Sequence, residues 1–222
     1  MALDGEQNQV DGISSNPGQC LHLGILTAEK AQSVAERLMA PDLFSGWGIR
    51  TLSSDSPAYN PIGYHTGTVW PHDNSLIAMG LRSNGFPEQA LEVAQGLFDM
   101  ITHQPYHRPP ELFCGYASNQ GNPVQYPVAC TPQAWATGTV FQLIQMMVNL
   151  VPNVESNQVR IIDPALPQSI HQLSIENLRV GATVLDVEFV REKTADFDRN
   201  HVITTSCRVT RKRGNLRVMI EA

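Results

Sequence analysis

Three stretches of this sequence combine aromatic rings, imidazoles, amides and carboxylates within turn-prone sequence. They are residues 64–74 (YHTGTVWPHDN), residues 110–116 (PELFCGY) and residues 126–135 (YPVACTPQAW). A sugar ring presents apolar C–H faces and a rim of hydroxyls, so a site that binds one needs flat aromatic surfaces beside planar hydrogen-bonding groups. The three stretches contain both kinds of group, and they predict a sugar-binding site.

Glu111 is the one convincing candidate for a catalytic carboxylate in these stretches. Inverting hydrolysis of a glycosidic bond needs a carboxylate that takes a proton from water and, about 6.5 to 9.5 Å away, a carboxylic acid that protonates the leaving oxygen. Glu111 can be that base; alternatively, it caps a turn after Pro110 or pairs with Arg108. Asp73 is the second candidate for a carboxylate role, and its alternative is a helix N-cap.

Aromatic and imidazole side chains near these carboxylates are candidate substrate contacts. Tyr64 and Trp70 can stack on a sugar ring, although a tryptophan near a helix start can equally pack in the core. His65 and His72 can donate hydrogen bonds to sugar hydroxyls. Trp135 is assigned mainly to the core, at the border of a subsite.

Polar side chains complete the predicted substrate-binding set, which also contains Asp73, Asn74 and Arg50. Arg50 lies in a Gly-Ile-Arg-Thr turn and can hold a carboxylate through a bidentate pair, either as structural support or as a substrate contact. A zinc site that uses the histidines is disfavoured because no HExxH spacing occurs. We therefore expect neither a metal nor another cofactor.

The composition of the 222-residue chain is that of a globular protein, with 42% hydrophobic residues and a formal net charge of −6. Its lysines and arginines are mostly scattered and predict no face for nucleic acid, whereas a neutral polyhydroxylated ligand suits this balance. No apolar run approaches the roughly 20 residues of a membrane span, so no membrane partner is expected. Widely spaced cysteines without a CxxC pair, and a start without signal-peptide features, predict reduced thiols and a cytoplasmic location.

Hydrophobic periodicity predicts four helices in the first two thirds of the chain. They span residues 27–39, about 73–85, 87 to about 101, and 132–150. Thr27 is the predicted N-cap of the first helix, and Asp73 or Asn74 that of the second. The long irregular segment over residues 42–72 is of a kind that is often functional. Apolar residues go most of the way round the last helix, which predicts burial on nearly all its sides.

After Pro152 the hydrophobic period changes from that of a helix to that of a strand. Alternating apolar residues predict short strands at 173–175, 184–189 and 216–220. Turns are expected at Gly181, at residues 198–200 and at Gly214-Asn215, of which the last is predicted to close a hairpin.

The predicted helices form pairs joined by long loops, and one of them is expected to be buried. This arrangement predicts an α-solenoid or an α/α barrel, and the chain has too few helices to close a barrel alone.

Five motifs together resemble the C-terminal half of bacterial amylo-α-1,6-glucosidases, or glycogen-debranching-enzyme-related proteins. They are residues 45–52 (SGWGIRTL), 59–61 (YNP), 64–74, 110–116 and 127–136 (PVACTPQAWA). The resemblance implies a mainly α fold: the C-terminal portion of an (α/α)6 six-hairpin barrel in residues 1–152, followed by a small antiparallel β region in residues 153–222. It also implies an inverting α-glucosidase that acts on α-glucans or α-glucosides.

The resemblance places Glu111 at the position of the catalytic base. The general acid of such enzymes, usually an aspartate, comes from an earlier hairpin that has no counterpart here, so we expect a fragment or one product of a split gene. Loss of a general acid removes about 10² to 10⁴ in rate, and the chain alone is expected to be nearly inactive. The alternative is a non-catalytic carbohydrate-binding or structural remnant of such an enzyme.

The helix predicted over residues 132–150 needs a cover for its apolar surface. We therefore expect the chain to bind a complementary N-terminal half, to self-associate or to be poorly soluble. A carbohydrate is the expected small-molecule partner. Trehalose-like, glucosylglycerate-like, oligosaccharide and branched glucan substrates would all use similar aromatic and carboxylate groups.

Overall fold

A computed structural model of the protein describes residues 3–195 and 201–221. Its helices are α1 (Pro17–His22), α2 (Ala28–Leu38), α3 (Pro71–Ser83), α4 (Pro87–Thr102) and α5 (Ala134–Val148), with two single 3₁₀ turns at Pro105–His107 and Ser118–Gln120. Its strands are β1 (Leu150–Asn153), β2 (Gln158–Ile162), β3 (Gln172–Val180), β4 (Thr183–Ala195), β5 (His201–Arg213) and β6 (Arg217–Glu221). The chain divides into two compact units, Met1–Leu143 and Ile144–Ala222.

The first unit is helical, as predicted. Helix α1 packs against α2 and α3, and α3 packs against α4. The five α-helices of the described residues are fewer than six helical hairpins require. The predicted helical region is therefore found in the first unit, whereas a whole (α/α)6 barrel is not present in the described part of the chain.

Helix α2 forms where the sequence predicts it. The Thr27 hydroxyl accepts a hydrogen bond from the Lys30 backbone N–H at 3.4 Å, as an N-cap does. The buried face of this helix carries Ala31, Ala35 and Leu38. Helix α1 was not predicted, because its six residues are too few to show a helical period.

Helix α3 begins two residues before the predicted start. Pro71 takes the first helical position and Trp70 is the N-cap residue, so neither Asp73 nor Asn74 caps the helix. Proline suits this position because it has no N–H to leave unsatisfied and its φ already fits a helix. The chain leaves the helix as predicted through Gly85, which has a φ of 86°.

Backbone bridges hold the irregular segment between α2 and α3 in place. Arg50 pairs with Val69, Val69 with Phe113, and Phe113 with Gln125, all antiparallel. Val69 and Phe113 are fully buried. This short ladder brings residues 64–70 beside residues 111–113, two of the stretches that the sequence predicts to form a site.

Helix α5 is less buried than predicted. Trp135 is 46% exposed and Phe141 is 70% exposed, whereas Ala136, Leu143 and Met147 are buried. The apolar residues do surround the helix, but in the described chain the side that carries Phe141 is exposed. The prediction of burial on nearly all sides is therefore wrong for these residues.

The second unit contains two three-stranded sheets. In one, β3, β4 and β5 pair antiparallel in that order, and the predicted turn at Gly181 lies between β3 and β4; no strand was predicted where β5 forms. In the other, β1 pairs antiparallel and β6 pairs parallel with β2, so Gly214-Asn215 does not close a hairpin between β5 and β6. This mixed sheet corrects the prediction of a purely antiparallel region. The turn predicted at residues 198–200 lies outside the described residues.

Candidate active site

A cavity of about 360 Å³ opens in the first unit. It is lined by residues that come mainly from the α1 and α3 N-termini and from the segments beside them: Ser15, Asn16, Thr51, His65, Trp70, His72, Asp73 and Trp135. Five of the predicted substrate-binding residues are in this lining: His65, Trp70, His72, Asp73 and Trp135. Its volume lies in the range of small-molecule sites.

Trp70 connects the cavity to the core. The residue is 8% exposed, and its indole N–H donates to the Thr68 hydroxyl at 3.1 Å and to the Tyr64 carbonyl at 3.2 Å. The two alternatives for this residue, core packing and ligand contact, are thus combined in one side chain. The hydrogen-bonded indole gives the cavity a wall of fixed orientation.

Two imidazoles stack on two tryptophans around the cavity. The His65 and Trp70 rings are 5.2 Å apart and 10° from parallel, and the His72 and Trp135 rings are 4.6 Å apart and 9° from parallel. The two tryptophans meet edge to face, with their ring centroids 6.2 Å apart. Flat rings with polar nitrogens can contact both the C–H faces and the hydroxyls of a sugar.

Asp73 contributes a carboxylate to the same cavity. It accepts hydrogen bonds from the Ser15 hydroxyl at 3.0 Å and from the Gln19 side-chain amide. Burial raises the pKa of this carboxyl, while the two hydrogen bonds and the neighbouring His72 act in the opposite direction. The N-cap alternative for Asp73 is wrong, because its side chain turns to α1 and the cavity instead of capping α3.

Glu111 lies outside the cavity lining but is joined to the cavity wall. Its Oε1 accepts a hydrogen bond from the Tyr64 hydroxyl at 2.8 Å, and its Oε2 is 3.5 Å from the Cys130 backbone nitrogen. Among the described residues it makes no ion pair with Arg108, whose guanidinium lies over the Tyr106 ring. The alternative of a pair with Arg108 is therefore wrong, whereas the turn-capping alternative stays a prediction, because Oε2 contacts the Cys130 backbone nitrogen.

Tyr64 stands between the cavity wall and Glu111. Its ring meets those of His65, Trp70 and Tyr126 edge to face, at centroid distances of 4.6, 4.8 and 5.7 Å. The hydrogen bond to Glu111 is the main cause that raises the pKa of the Tyr64 phenol, and burial adds to it. Tyr64 is absent from the cavity lining, so its predicted role as a sugar-stacking platform finds no support in the geometry.

Arg50 and Asn74 were predicted to contact substrate, but both are buried in structural roles. Arg50 is 4% exposed, and its guanidinium donates to the carbonyls of Gly115, Pro41 and Asp42. It therefore makes no bidentate pair with a carboxylate. Asn74 is fully buried, and its amide binds the backbone of Ile49 and the carbonyl of Trp70.

Several residues at the site were missed by the sequence reasoning. Ser15 and Asn16 line the cavity, and Gln19 hydrogen-bonds to Asp73. The polar pair directly before Pro17 is a helix-start signal, and it could have indicated that these side chains gather at an α1 N-terminus. Nothing local could have placed them beside Asp73, which lies 58 positions after Ser15.

The described residues contain no group of three or more His, Cys, Asp or Glu side chains suited to a metal ion. Among those same residues, no helix has the length and apolar character needed to cross a membrane.

A protein-family model described as the mannosylglycerate hydrolase MGH1-like glycoside hydrolase domain matches residues 7–118 of the chain. The chain is also similar to solved structures of the GH63 mannosylglycerate hydrolase from Thermus thermophilus. The complex with Tris and D-glycerate has a TM-score of 0.50 at 17% identity, over 62% of this chain and 31% of that chain. The complexes with Tris and with glucose have TM-scores of 0.49 and 0.48 at 17% and 18% identity, over 62% and 61% of this chain and 30% of each of those.

At these identities the similarity to solved structures concerns the fold alone. The chain spans about 30% of the length of the solved structures it matches. No curated protein matches the chain.

Proposed function

Because the chain belongs to the family of mannosylglycerate hydrolase MGH1-like glycoside hydrolase domains, we propose that it carries the base-bearing part of an inverting glycoside hydrolase. The predicted glycosidase class agrees with this family. The narrower assignment of the chain to the amylo-α-1,6-glucosidases remains a proposal. The observation that supports the proposal most is the Glu111 carboxylate, held at 2.8 Å by Tyr64, whose ring packs on the cavity-lining rings of His65 and Trp70. A catalytic base must lie at the edge of the sugar site, where its carboxylate can reach a water molecule.

In the proposed reaction Glu111 takes a proton from a water molecule. The water oxygen attacks the anomeric carbon as the bond to the leaving oxygen breaks, and an acid on the opposite side of the sugar protonates that oxygen. The tryptophans and imidazoles of the cavity hold the sugar ring in place, so that water and carbon meet in a reactive geometry. The product sugar has the inverted anomeric configuration.

We assign Asp73 to hydroxyl binding and not to the general acid. Both of its oxygens already accept hydrogen bonds from Ser15 and Gln19, which hold the carboxyl group on the α1 side of the cavity. A carboxylate held in this way can accept a bond from a sugar hydroxyl with its remaining lone pairs. The general acid then comes from another part of the enzyme, which we propose to be a complementary segment carrying further hairpins.

We propose an α-linked glucoside or a closely related α-glycoside as the substrate. The residues that line the described cavity include no lysine or arginine, so this cavity suits an uncharged sugar ring. The family description names mannosylglycerate, which has a carboxylate on its glycerate part. In such a substrate the sugar would occupy this cavity, and groups outside it would bind the carboxylate.

We also keep the cytoplasm as the proposed location. None of the four cysteines, Cys20, Cys114, Cys130 and Cys207, forms a disulfide. Free thiols are typical of a reducing compartment.

Glu111→Gln tests the proposal most directly. The substrates are isomaltose, panose, a branched limit dextrin, glucosylglycerate and mannosylglycerate, each offered to the chain alone and to the chain with the product of its neighbouring gene. We expect hydrolysis only in the mixture, and a loss of at least about 100-fold with Glu111→Gln, because a general base contributes about 10² to 10⁴ in rate. The matched control is Glu155→Gln, an exposed carboxylate of the second unit, and it should leave the rate unchanged.

Two outcomes would contradict the proposal. Hydrolysis that survives Glu111→Gln would show that the base has been placed on the wrong residue. If no mixture hydrolyses any substrate but isomaltose still quenches tryptophan fluorescence, the chain is a non-catalytic sugar-binding remnant.

A further inference from the structure

The link between Tyr64 and Glu111 joins the cavity to the proposed base through one hydroxyl. The phenol is the donor and the carboxylate the acceptor, at 2.8 Å. Oε2, the other oxygen of Glu111, has one long contact of 3.5 Å to the Cys130 backbone nitrogen. One oxygen is therefore held firmly, and the other remains available to a water molecule.

Tyr64 is itself fixed from several sides. Its carbonyl accepts hydrogen bonds from the Thr68 hydroxyl at 2.7 Å and from the Trp70 indole N–H at 3.2 Å. Its ring is bordered by His65, Trp70 and Tyr126. A side chain anchored at both backbone and ring loses little further freedom when its hydroxyl binds a partner, so it can orient that partner precisely enough for chemistry.

We propose that Tyr64 is a positioning residue, whose hydroxyl orients the Glu111 carboxylate beside the aromatic cavity and leaves Oε2 to take the proton from water. This role rests on the proposed function of Glu111 as a base. The phenol keeps its proton over the working range, because its hydrogen bond to Glu111 raises the pKa of Tyr64.

The other titratable groups that face Tyr64 are the Cys130 thiol and the Tyr126 phenol, and both act on the Tyr64 pKa in the same direction as Glu111. His65 borders the ring through its imidazole. Because Glu111 is the largest cause, removing its charge should change the Tyr64 titration more than any other single substitution.

The first experiment needs no substrate. The ultraviolet absorbance of tyrosinate is followed against pH in the wild type, Glu111→Gln and Glu155→Gln, and Tyr64→Phe identifies the Tyr64 contribution among the five tyrosines. We expect Tyr64 to ionise at lower pH in Glu111→Gln and at the wild-type pH in Glu155→Gln. An unchanged Tyr64 titration in Glu111→Gln would overturn the proposal, whether or not the protein is a hydrolase.

The second experiment measures the positioning role in the active mixture. Tyr64→Phe keeps the ring and removes the hydroxyl, and we expect kcat to fall by up to about 100-fold with KM nearly unchanged, because a misplaced base affects chemistry more than binding.

The matched control is Tyr106→Phe, which removes a hydroxyl from a side chain that is 87% exposed, and it should behave like the wild type. A Tyr64→Phe enzyme with wild-type kcat, or with a raised KM and an unchanged kcat, would overturn the positioning role. If no mixture hydrolyses a substrate, the proposed function fails, and the absorbance titration still decides whether Tyr64 and Glu111 are linked.

Discussion

Single polar side chains hold the loops that carry the site. Arg50 gathers three carbonyls from two loops, and Asn74 binds the backbone of the Ile49 segment to the start of α3. Both side chains are buried and hydrogen-bonded to backbone groups. Their roles are therefore structural, although arginine and asparagine are common in sugar sites. Residue type alone cannot separate these roles, because the same amide or guanidinium binds a carbonyl of its own chain or a ligand.

Asp42 should make stability depend on pH. Arg37 binds both of its oxygens, at 2.7 and 2.6 Å, and with the Ser53 hydroxyl lowers the pKa of Asp42 to about 2. Its ordinary pKa is 3.8, so the folded state binds fewer protons than the unfolded state as pH falls through this range. The stabilisation is therefore complete above about pH 4 and is lost as pH falls towards about 2.

Asp42→Asn should lower the free energy of unfolding at pH 7 by about 1 kcal/mol, because the pair is partly solvated. Urea denaturation of the wild type and the variant at several pH values measures this difference, which should shrink between about pH 4 and pH 2. Asp11→Asn is the matched control, since Asp11 is exposed. A difference that stays constant over this pH range would show that Asp42 does not act through its charge.

At the scale of elements, glycines allow α1 and α3 to approach closely. A Cβ on Gly80 of α3 would lie 2.6 Å from the backbone nitrogen of His22 and 2.7 Å from the Cβ of Leu21. Leu21 and His22, the α1 residues in this contact, follow Ser15 and Gln19 in the chain, and the side chains of Ser15 and Gln19 bind Asp73. The packing of α1 on α3 thus also places polar groups in the cavity.

Gly80→Ala should destabilise the protein by about 1 to 3 kcal/mol, because the added methyl meets backbone and not a movable side-chain end. Gly138→Ala in α5 is the matched control: a Cβ there meets no atom within 4 Å. It should be neutral or stabilising by up to about 1 kcal/mol, since alanine favours helix over glycine. Thermal unfolding of both variants measures the contrast, and equal effects would refute close α1–α3 contact at Gly80.

At the scale of the whole molecule, α5 presents large apolar side chains to solvent. Phe141 is 70% exposed and Trp135 is 46% exposed. Trp135 also lines the cavity, so a partner that covers both rings would lie beside the proposed sugar site. The proposed complementary segment, or a second copy of the chain, can supply that cover.

Phe141→Glu should reduce self-association of the isolated chain and raise its solubility, because it replaces an exposed apolar ring by a charge. Sedimentation velocity over a range of concentrations measures the effect. Val154→Glu is the matched control: Val154 is 92% exposed but sits in a turn of the second unit. A wild-type chain that stays monomeric at high concentration would contradict the prediction.

The sequence by itself determined the local elements and the class of site. The caps and prolines of α2 and α4, the irregular segment before α3 and the aromatic, imidazole and carboxylate stretches could all be read without a structure, because they depend on residues close in the chain. The same local signals predicted a sugar site with Glu111 as a candidate carboxylate, and the family resemblance of the motifs predicted a glycosidase with Glu111 as its base.

Only the tertiary structure decided which of the nominated residues meet. It joined Tyr64 to Glu111 across 47 positions, placed Ser15 and Gln19 on Asp73, and buried Arg50 and Asn74 away from the cavity. It also paired β6 with β2 instead of β5, against a local turn signal. Contacts between residues distant in sequence depend on how whole elements pack, and no local pattern of residues records that packing.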